Sequence, residues 1–202
     1  MLARHSEDAM IGAFLGDFMR PADARHLPQT LQLEMWLHRY IDSYTDTHPE
    51  VRAARQLCSP PLRLFARIAL DVYFDHFLTR HWSSYCEQSL DAVAKRFYRA
   101  IRNRSEQLPL HVQVVISRMY RRDWLRSYRH YQAVERAVQG IGQRLSRKSD
   151  HLVAALAELR DHEAEVEQRF LYFFPELIRF SEQRRARIIA EADQASAAEH
   201  GE

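Results

Sequence analysis

Residues 62–82, with the sequence LRLFARIALDVYFDHFLTRHW, form the most apolar part of the chain and decide its fold class. The segment follows a Ser59-Pro60-Pro61 break, and proline is tolerated in the first turn of a helix but not in its interior. We therefore expect one long helix from this break to about Tyr85. Because the segment is too apolar to stand alone in water, the other helices must pack around it.

Three polar residues, Asp71, Asp75 and His76, interrupt this apolar helix. An ionised carboxylate left unpaired in apolar surroundings is costly, so such acids need a basic partner, a metal ion or a cleft. The spacing of four residues between Asp71 and Asp75 places both on one helix face, with Cβ atoms about 5–6 Å apart. That distance allows the two carboxylates to share one cation or one water molecule.

The preceding helix repeats this arrangement with His38, Asp42 and Asp46, again at intervals of four, and Arg39 lies beside them. We expect this helix to start with Thr30 as its N-cap and to end before Pro49, which opens a short helix to about Leu57. An imidazole with several hard oxygens suits Mn²⁺, Mg²⁺ or Fe²⁺ better than a thiolate site does. The alternative is that the acids form a solvated face or pair with arginines, which is the more common outcome for such spacing.

The rest of the sequence also predicts helices, and only five glycines are present. Since Leu, Ala, Arg, Glu and Gln favour helices, the fold class is all-α, a single-domain helical bundle. The apolar spacing predicts a first helix that holds Asp17 in its last turn, and a helix before Pro175 that kinks or restarts there. The predicted domain covers residues 1–182, and 183–202 form a polar helical extension that frays. The remaining helices are expected at about 6–20, 90–104, 110–122, 131–145 and 150–174.

Composition excludes several classes of protein. The net charge is +2, from 29 basic and 27 acidic residues, and the two cysteines, Cys58 and Cys86, form no CxxC pair. No apolar run is long enough to cross a bilayer, and the first 20 residues lack the pattern of a signal peptide. We therefore expect a cytoplasmic protein with no membrane partner; the oligomeric state is left open.

Taken in order, the motifs resemble the acyl carrier protein phosphodiesterase family over a region from about Leu2 to Pro175. The family's usual Asn-aromatic-Leu-Ala-His segment has no counterpart before Leu2, so we expect one histidine that could serve a metal to be missing. The resemblance is carried by Gly16-Asp17-Phe18, by His38-Arg39-x-Ile41-Asp42-x-x-Thr45-Asp46, and by Asp71-x-x-x-Asp75-His76-Phe77-Leu78-x-Arg80-His81-Trp82.

This resemblance implies a fold related to the HD-type phosphohydrolases. It also implies metal-dependent hydrolysis, typically with Mn²⁺, that removes 4′-phosphopantetheine from holo-acyl carrier protein as substrate. By the same resemblance, four residues are expected to bind the metal: Asp17, His38, Asp42 and Asp75. Asp46, Asp71 and His76 are expected to be further ligands or acid–base groups. Arg39, Arg80 and His81 are expected to contact the substrate.

An acidic carrier protein needs a basic docking surface, and Arg121 and Arg122 lie in an arginine-rich segment from Arg118 to Arg129. Each of these arginines could equally belong to a solvated helix face. The aromatic residues between them would also suit a nucleic acid, but the near-neutral total charge argues against that partner. Two further alternatives are a nucleotide phosphohydrolase on the same scaffold and a helical adaptor without enzymatic activity.

Overall fold

The computed structural model describes residues 2–145 and 149–199, and within these ranges every regular element is a helix. Eleven α-helices are joined by short turns, four of them 3-10 turns. The all-α prediction is confirmed. The helices are α1 (Glu7–Leu15), α2 (Gln29–Thr47), α3 (Pro49–Gln56), α4 (Arg63–Arg80), α5 (Trp82–Tyr85), α6 (Leu90–Arg104), α7 (Leu110–Arg122), α8 (Trp124–Ser127), α9 (Tyr131–Gly142), α10 (Ser149–Asp161) and α11 (Glu163–Glu199).

Helix α1 is shorter than the apolar spacing predicts. It begins after Ser6, whose Oγ accepts a hydrogen bond from the Ala9 backbone N–H at 2.9 Å, and two acidic residues in the first turn complement the helix dipole. It ends at Leu15 rather than Arg20, and Gly16 caps it. Asp17 therefore lies in the turn after the helix, where its side chain is not constrained to the helix surface.

The predicted N-cap of α2 is wrong. The helix begins at Gln29, and Pro28 occupies the cap position without a side-chain hydrogen bond. Thr30 lies inside the first turn, where its hydroxyl donates to Asp8 of α1 at 3.2 Å. The Thr30 hydroxyl thus forms a hydrogen bond to another helix and does not cap its own helix.

The long helices also differ from their predicted bounds. α4 ends at Arg80 because His81 leaves helical geometry, with φ −102° and ψ 19°, and α5 follows separately. The helix expected at 150–174 is divided at His162 into α10 and α11. The helix does not restart at Pro175, since α11 continues through it, and a kink there stays a prediction. The carbonyl four residues earlier belongs to Leu171, which is exposed, so water can satisfy it.

Two apolar cores hold the helices together. The α4–α11 core joins α3, α4, α9, α10 and α11 around Tyr73, Phe77 and Phe170. The α1–α6 core joins α1, the first half of α2, α6 and α7 around Leu15 and Met35. Helix α2 runs between them: its later residues Ile41 and Tyr44 pack on the first core. The junction of α1, α2 and α4 thus lies between the two cores.

Helix α11 shows no break between the predicted domain, 1–182, and its extension, 183–202. Arg185 forms an ion pair with Glu34 of α2 at 2.7 Å, and Ile188 is buried. The start of the extension is therefore packed on the bundle, while the chain beyond Glu199 and the side chains from 195 onward lie outside the described residues. None of the described helices combines the length and apolar character needed to span a bilayer.

Candidate functional site

The turn that carries Asp17 is pressed against α2 at His38. A Cβ atom placed on Gly16 would lie 2.5 Å from His38 Cγ, and one placed on Gly12 would lie 2.7 Å from the Leu31 carbonyl oxygen. Side chains do not tolerate such distances, so these two glycines allow α1 and α2 to approach closely. The earlier glycine, Gly12, contacts the earlier residue of α2, Leu31, and Gly16 contacts the later one, His38. The two helices therefore run parallel, and the end of α1 lies beside His38.

His38 joins the carboxylates of two elements. Its Nε2 lies 3.3 Å from Asp17 Oδ1 and 3.4 Å from Asp42 Oδ2, and the ring is largely buried. Burial lowers the pKa of His38, but the interaction with Asp17 and the negative charges of Asp17 and Asp42 outweigh it, so that the pKa is raised overall. His38 Nε2 therefore lies between two acids, and it would have to be neutral to bind a metal there.

Asp71 and Asp75 lie on one face of α4, as their spacing predicts. Both side chains reach solvent, yet burial by the surrounding protein raises the pKa of each to about 7, and neighbouring carboxylates raise it further. Because each carboxyl group is exposed and yet has its pKa raised by the surrounding protein, we infer that Asp71 and Asp75 line a cleft. The charge of Asp42 raises the pKa of Asp71, and the charge of Asp71 raises that of Asp75, so the acids of α2 and α4 lie close enough to interact.

Asp17 unites the cluster. Its charge shifts the pKa of four other groups, raising that of His38, Asp42, Asp71 and Asp75. The four residues predicted to bind a metal, Asp17, His38, Asp42 and Asp75, are therefore brought into one electrostatic environment by three elements that are distant in sequence. We call these four residues together with Asp71 the acidic cluster.

The donors of the acidic cluster are of the right chemical type for a divalent cation. Carboxylate oxygens and one imidazole are typical ligands of Mn²⁺ and Mg²⁺, and a cation would relieve the repulsion between Asp71 and Asp75. Within residues 2–145 and 149–199, however, no three His, Cys, Asp or Glu side chains are arranged to hold an ion. The donor chemistry thus fits, although their positions in this structure do not form a closed coordination shell, and the ligand set stays a prediction.

Arg67 is a member of the site that the sequence motifs did not single out. Its Nε lies 2.7 Å from Asp46 Oδ1, its side chain is half exposed, and its positive charge lowers the pKa of Asp42 and Asp71. Asp46 is thus bound to a base at the edge of the cleft. Arg67 stands four residues before Asp71, and this i, i+4 relation was the one signal that could have identified it.

His76 points away from the acids on its own helix. It is buried, its Nδ1 lies 2.7 Å from the Tyr128 carbonyl oxygen, and its Nε2 lies 3.2 Å from Arg80 Nη2. Because a carbonyl only accepts, Nδ1 carries the proton and Nε2 accepts from the guanidinium. Both ring nitrogens are occupied, which leaves His76 no free nitrogen for a metal or a substrate.

Arg80 and His81 are also occupied by protein partners. Arg80 binds Glu163 at 2.7 Å and Glu167 at 2.9 Å, and His81 binds Glu167 at 2.7 Å. These contacts fasten the end of α4 to the start of α11. Among the other predicted substrate contacts, Arg39 is exposed beside His38, while Arg121 and Arg122 are exposed at the end of α7, away from the acids. Substrate binding by these five residues stays a prediction.

Fold and site together define the class of this protein: an all-helical chain with an acidic, histidine-containing centre in an accessible cleft between two cores. The family model for acyl carrier protein phosphodiesterase matches residues 1–177. The chain belongs to this family of enzymes, and the resemblance read from the motifs is confirmed.

Curated relatives support the same assignment. The acyl carrier protein phosphodiesterases of Salmonella agona (strain SL483) and Salmonella newport (strain SL254) are each 30% identical to this chain over 178 residues, which cover 88% of it and 92% of the relative. The region matched by the family model, residues 1–177, contains the whole acidic cluster. No solved structure matches the chain, so the relation to HD-type phosphohydrolases stays a prediction.

Proposed function

We propose that this protein is a metal-dependent phosphodiesterase that removes 4′-phosphopantetheine from holo-acyl carrier protein. The observation that carries the proposal is the acidic cluster, in which Asp17 acts electrostatically on His38, Asp42, Asp71 and Asp75 within one cleft. Clusters of perturbed carboxyl groups concentrate at catalytic sites. The family assignment supplies the class of substrate.

The metal would be held by Asp17, His38, Asp42 and Asp75, with Mn²⁺ the first candidate and Mg²⁺ or Fe²⁺ the alternatives. A bound divalent cation supplies Lewis acidity beside the phosphodiester. The chain contributes ligands from the turn after α1, from α2 and from α4. Gly16 sets the separation between the first two of these elements, because any larger residue would displace His38.

Two arginines are placed to bind the phosphodiester. Arg67 extends over the cleft edge with half of its side chain exposed, and Arg39 is exposed next to His38. A guanidinium can donate two parallel hydrogen bonds to phosphate oxygens. Asp46 holds Arg67 in place, and His76 holds the end of α4 through Tyr128 and Arg80, so we assign both as positioning residues rather than acid–base groups.

Asp71 is the proposed acid–base group. It is accessible, adjacent to the proposed ligand Asp75, and able to carry a proton near neutral pH. In the reaction, water adds to phosphorus and the bond between phosphorus and the serine oxygen of the carrier breaks. The serine oxygen takes up a proton, which Asp71 would deliver, and the proton that the attacking water loses would return to the Asp71 carboxylate. The products are apo-carrier protein and 4′-phosphopantetheine.

The decisive experiment incubates the purified protein and Mn²⁺ with holo-acyl carrier protein and follows the mass of the carrier. A loss equal to one phosphopantetheine is expected, and Asp17→Asn should reduce its rate at least a hundredfold. Asp23→Asn is the matched control, because Asp23 is exposed and paired with Arg20 outside the cleft. Asp23→Asn should retain the wild-type rate.

Other outcomes would point elsewhere. Phosphate release from a panel of nucleotides, with the carrier mass unchanged, would replace the proposal with a nucleotide phosphohydrolase. An unchanged carrier and no bound metal after dialysis against Mn²⁺ would favour an adaptor. Full turnover by Asp17→Asn would show that the acidic cluster is not the site of the reaction.

A further inference from the structure

The outward face of α7 combines apolar and basic side chains that no described residue covers. Leu110 is 75% exposed and Val114 is 42% exposed. Arg118 and Arg121 continue the same face at intervals of three and four residues. The opposite face is buried in the α1–α6 core through Val112, Ile116 and Met119. Helix α7 therefore has one apolar, buried face and one exposed face that mixes apolar and basic side chains.

This face also lies in the most basic part of the chain. Residues 90–122 contain eight lysines and arginines against Asp91 and Glu106, whereas the entire chain carries a net charge of only +2. Asp91 does not neutralise the segment, because it binds Arg126 and Arg129 from the elements that follow. The segment is thus much more basic than the nearly neutral chain as a whole.

Only two of these bases, among the described residues, form an ion pair with a carboxylate. Arg99 and Arg104 pair with acids at the start of α1. Arg102 lies over the ring of Tyr120, which is 50% exposed, at 5.6 Å from its centroid. Within the described ranges, Arg118, Arg121 and Arg122 have no carboxylate partner, since none of the ion pairs found there involves them. Exposed arginines beside exposed apolar side chains are typical of interfaces, where lysines are depleted.

Helix α7 adjoins the acidic cluster. The ring Nε2 of His111 lies 3.2 Å from the carbonyl oxygen of Phe18, in the turn that carries Asp17. From His111 to Arg121 the helix extends by about 15 Å, at 1.5 Å per residue. A partner lying along α7 would therefore have one end beside the cleft and the other against the arginines.

We propose that the outward face of α7 is the docking surface for the acidic carrier protein. This inference rests on the proposed function for the identity of the partner. Arg118 and Arg121 attract the carboxylates of the partner, and Leu110 and Val114 receive its apolar side chains. The arginines accelerate encounter by electrostatic steering, and the apolar contacts prolong the complex.

The test uses the full chain with Arg118→Glu and Arg121→Glu combined, titrated with apo-acyl carrier protein by calorimetry and assayed with the holo form. At low ionic strength, Kd and KM should each rise about tenfold, with a smaller relative change in kcat, and the difference should shrink as salt is added. Leu110→Ser, which adds no charge, should weaken binding with little dependence on salt. Arg136→Glu on α9 is the matched control, since it reverses an equally exposed arginine and should leave KM and Kd unchanged.

The two proposals fail separately. Hydrolysis with an unchanged KM in the double variant would overturn the docking surface and leave the phosphodiesterase intact. Binding that the double variant weakens, without any hydrolysis by the wild type, would retain the docking surface and refute the reaction. An oligonucleotide that displaces the carrier from α7 and binds more tightly would overturn the choice of partner.

Discussion

Replacing Gly16 with alanine tests whether close contact between α1 and α2 builds the site. The backbone of Gly16 is right-handed helical, with φ −53° and ψ −32°, so alanine can adopt it without strain. The new Cβ would lie 2.5 Å from Cγ, 2.7 Å from Cβ and 2.8 Å from Cδ2 of His38. Since carbon atoms pack at about 3.5 Å or more, the ring must retreat by almost 1 Å.

The expected cost follows from this displacement. Forcing an extra methyl group into a packed contact typically destabilises a protein by about 1–3 kcal/mol, and alanine returns up to about 1 kcal/mol through its helix preference. A net loss of about 1–2 kcal/mol corresponds to a fall in Tm of roughly 2–8 °C for a chain of this size. Displacing a catalytic group by 1 Å can cost about a hundredfold in rate, so activity should fall more than stability.

The assay combines thermal unfolding, followed by circular dichroism, with carrier hydrolysis. Hydrolysis is measured well below the Tm of both the wild type and the Gly16→Ala variant. Gly140→Ala is the control, because Gly140 lies in α9 and an added Cβ there meets no atom within 4 Å. That variant should gain about 0.5–1 kcal/mol and keep its activity. A Gly16→Ala protein as stable and as active as Gly140→Ala would refute the role assigned to the glycine.

Three further predictions address other parts of the molecule. Arg185→Met removes the guanidinium that pairs with the buried carboxylate of Glu34 and leaves His5 beside it at 3.6 Å, so it should cost about 3 kcal/mol in urea unfolding. Arg187→Met, on an exposed site, should cost less than about 0.5 kcal/mol, and equal losses would contradict the ion pair's contribution. Burial and the charge of Glu158 raise the pKa of the Cys58 thiol from 9.0 to about 11. The rate of alkylation of the native protein should therefore still increase above pH 9, and a rate that levels off there would contradict the raised pKa. Removal of divalent metal with a chelator should abolish carrier hydrolysis and lower Tm, and Mn²⁺ should restore both; a chelated protein with full activity would refute the metal requirement.

Local spacing predicted the parts of the site that lie on single helices. Asp71 and Asp75 share a face of α4 because four residues make about one helical turn, and the same rule placed His38 beside Asp42. Helical spacing could not predict that Asp17 lies close to His38, because the two residues belong to different elements. Only the ordered family motif joined these two residues before the structure did.

Contacts between distant segments explain what the sequence could not predict. No local spacing shows that His76 Nδ1 binds the carbonyl of Tyr128, 52 residues away, or that Arg80 binds Glu163, 83 residues away. The expected roles of His76 and Arg80 at the site stay predictions. Each side chain has several possible partners, and the packing of α4 against its neighbours selects one. Helix bounds were missed for the same reason, as Thr30 and Pro175 show.

The position of the acidic cluster between the two cores affects how cooperatively the protein unfolds. Asp17 follows a helix of the α1–α6 core, while Asp71 and Asp75 project from α4 of the other core. The charges of Asp17 and Asp71 raise the pKa of Asp75, so these carboxylates of the two cores repel one another. A ligand that neutralises the cluster links them, so amide hydrogens on both sides should become protected together, and the two halves should then unfold as one unit.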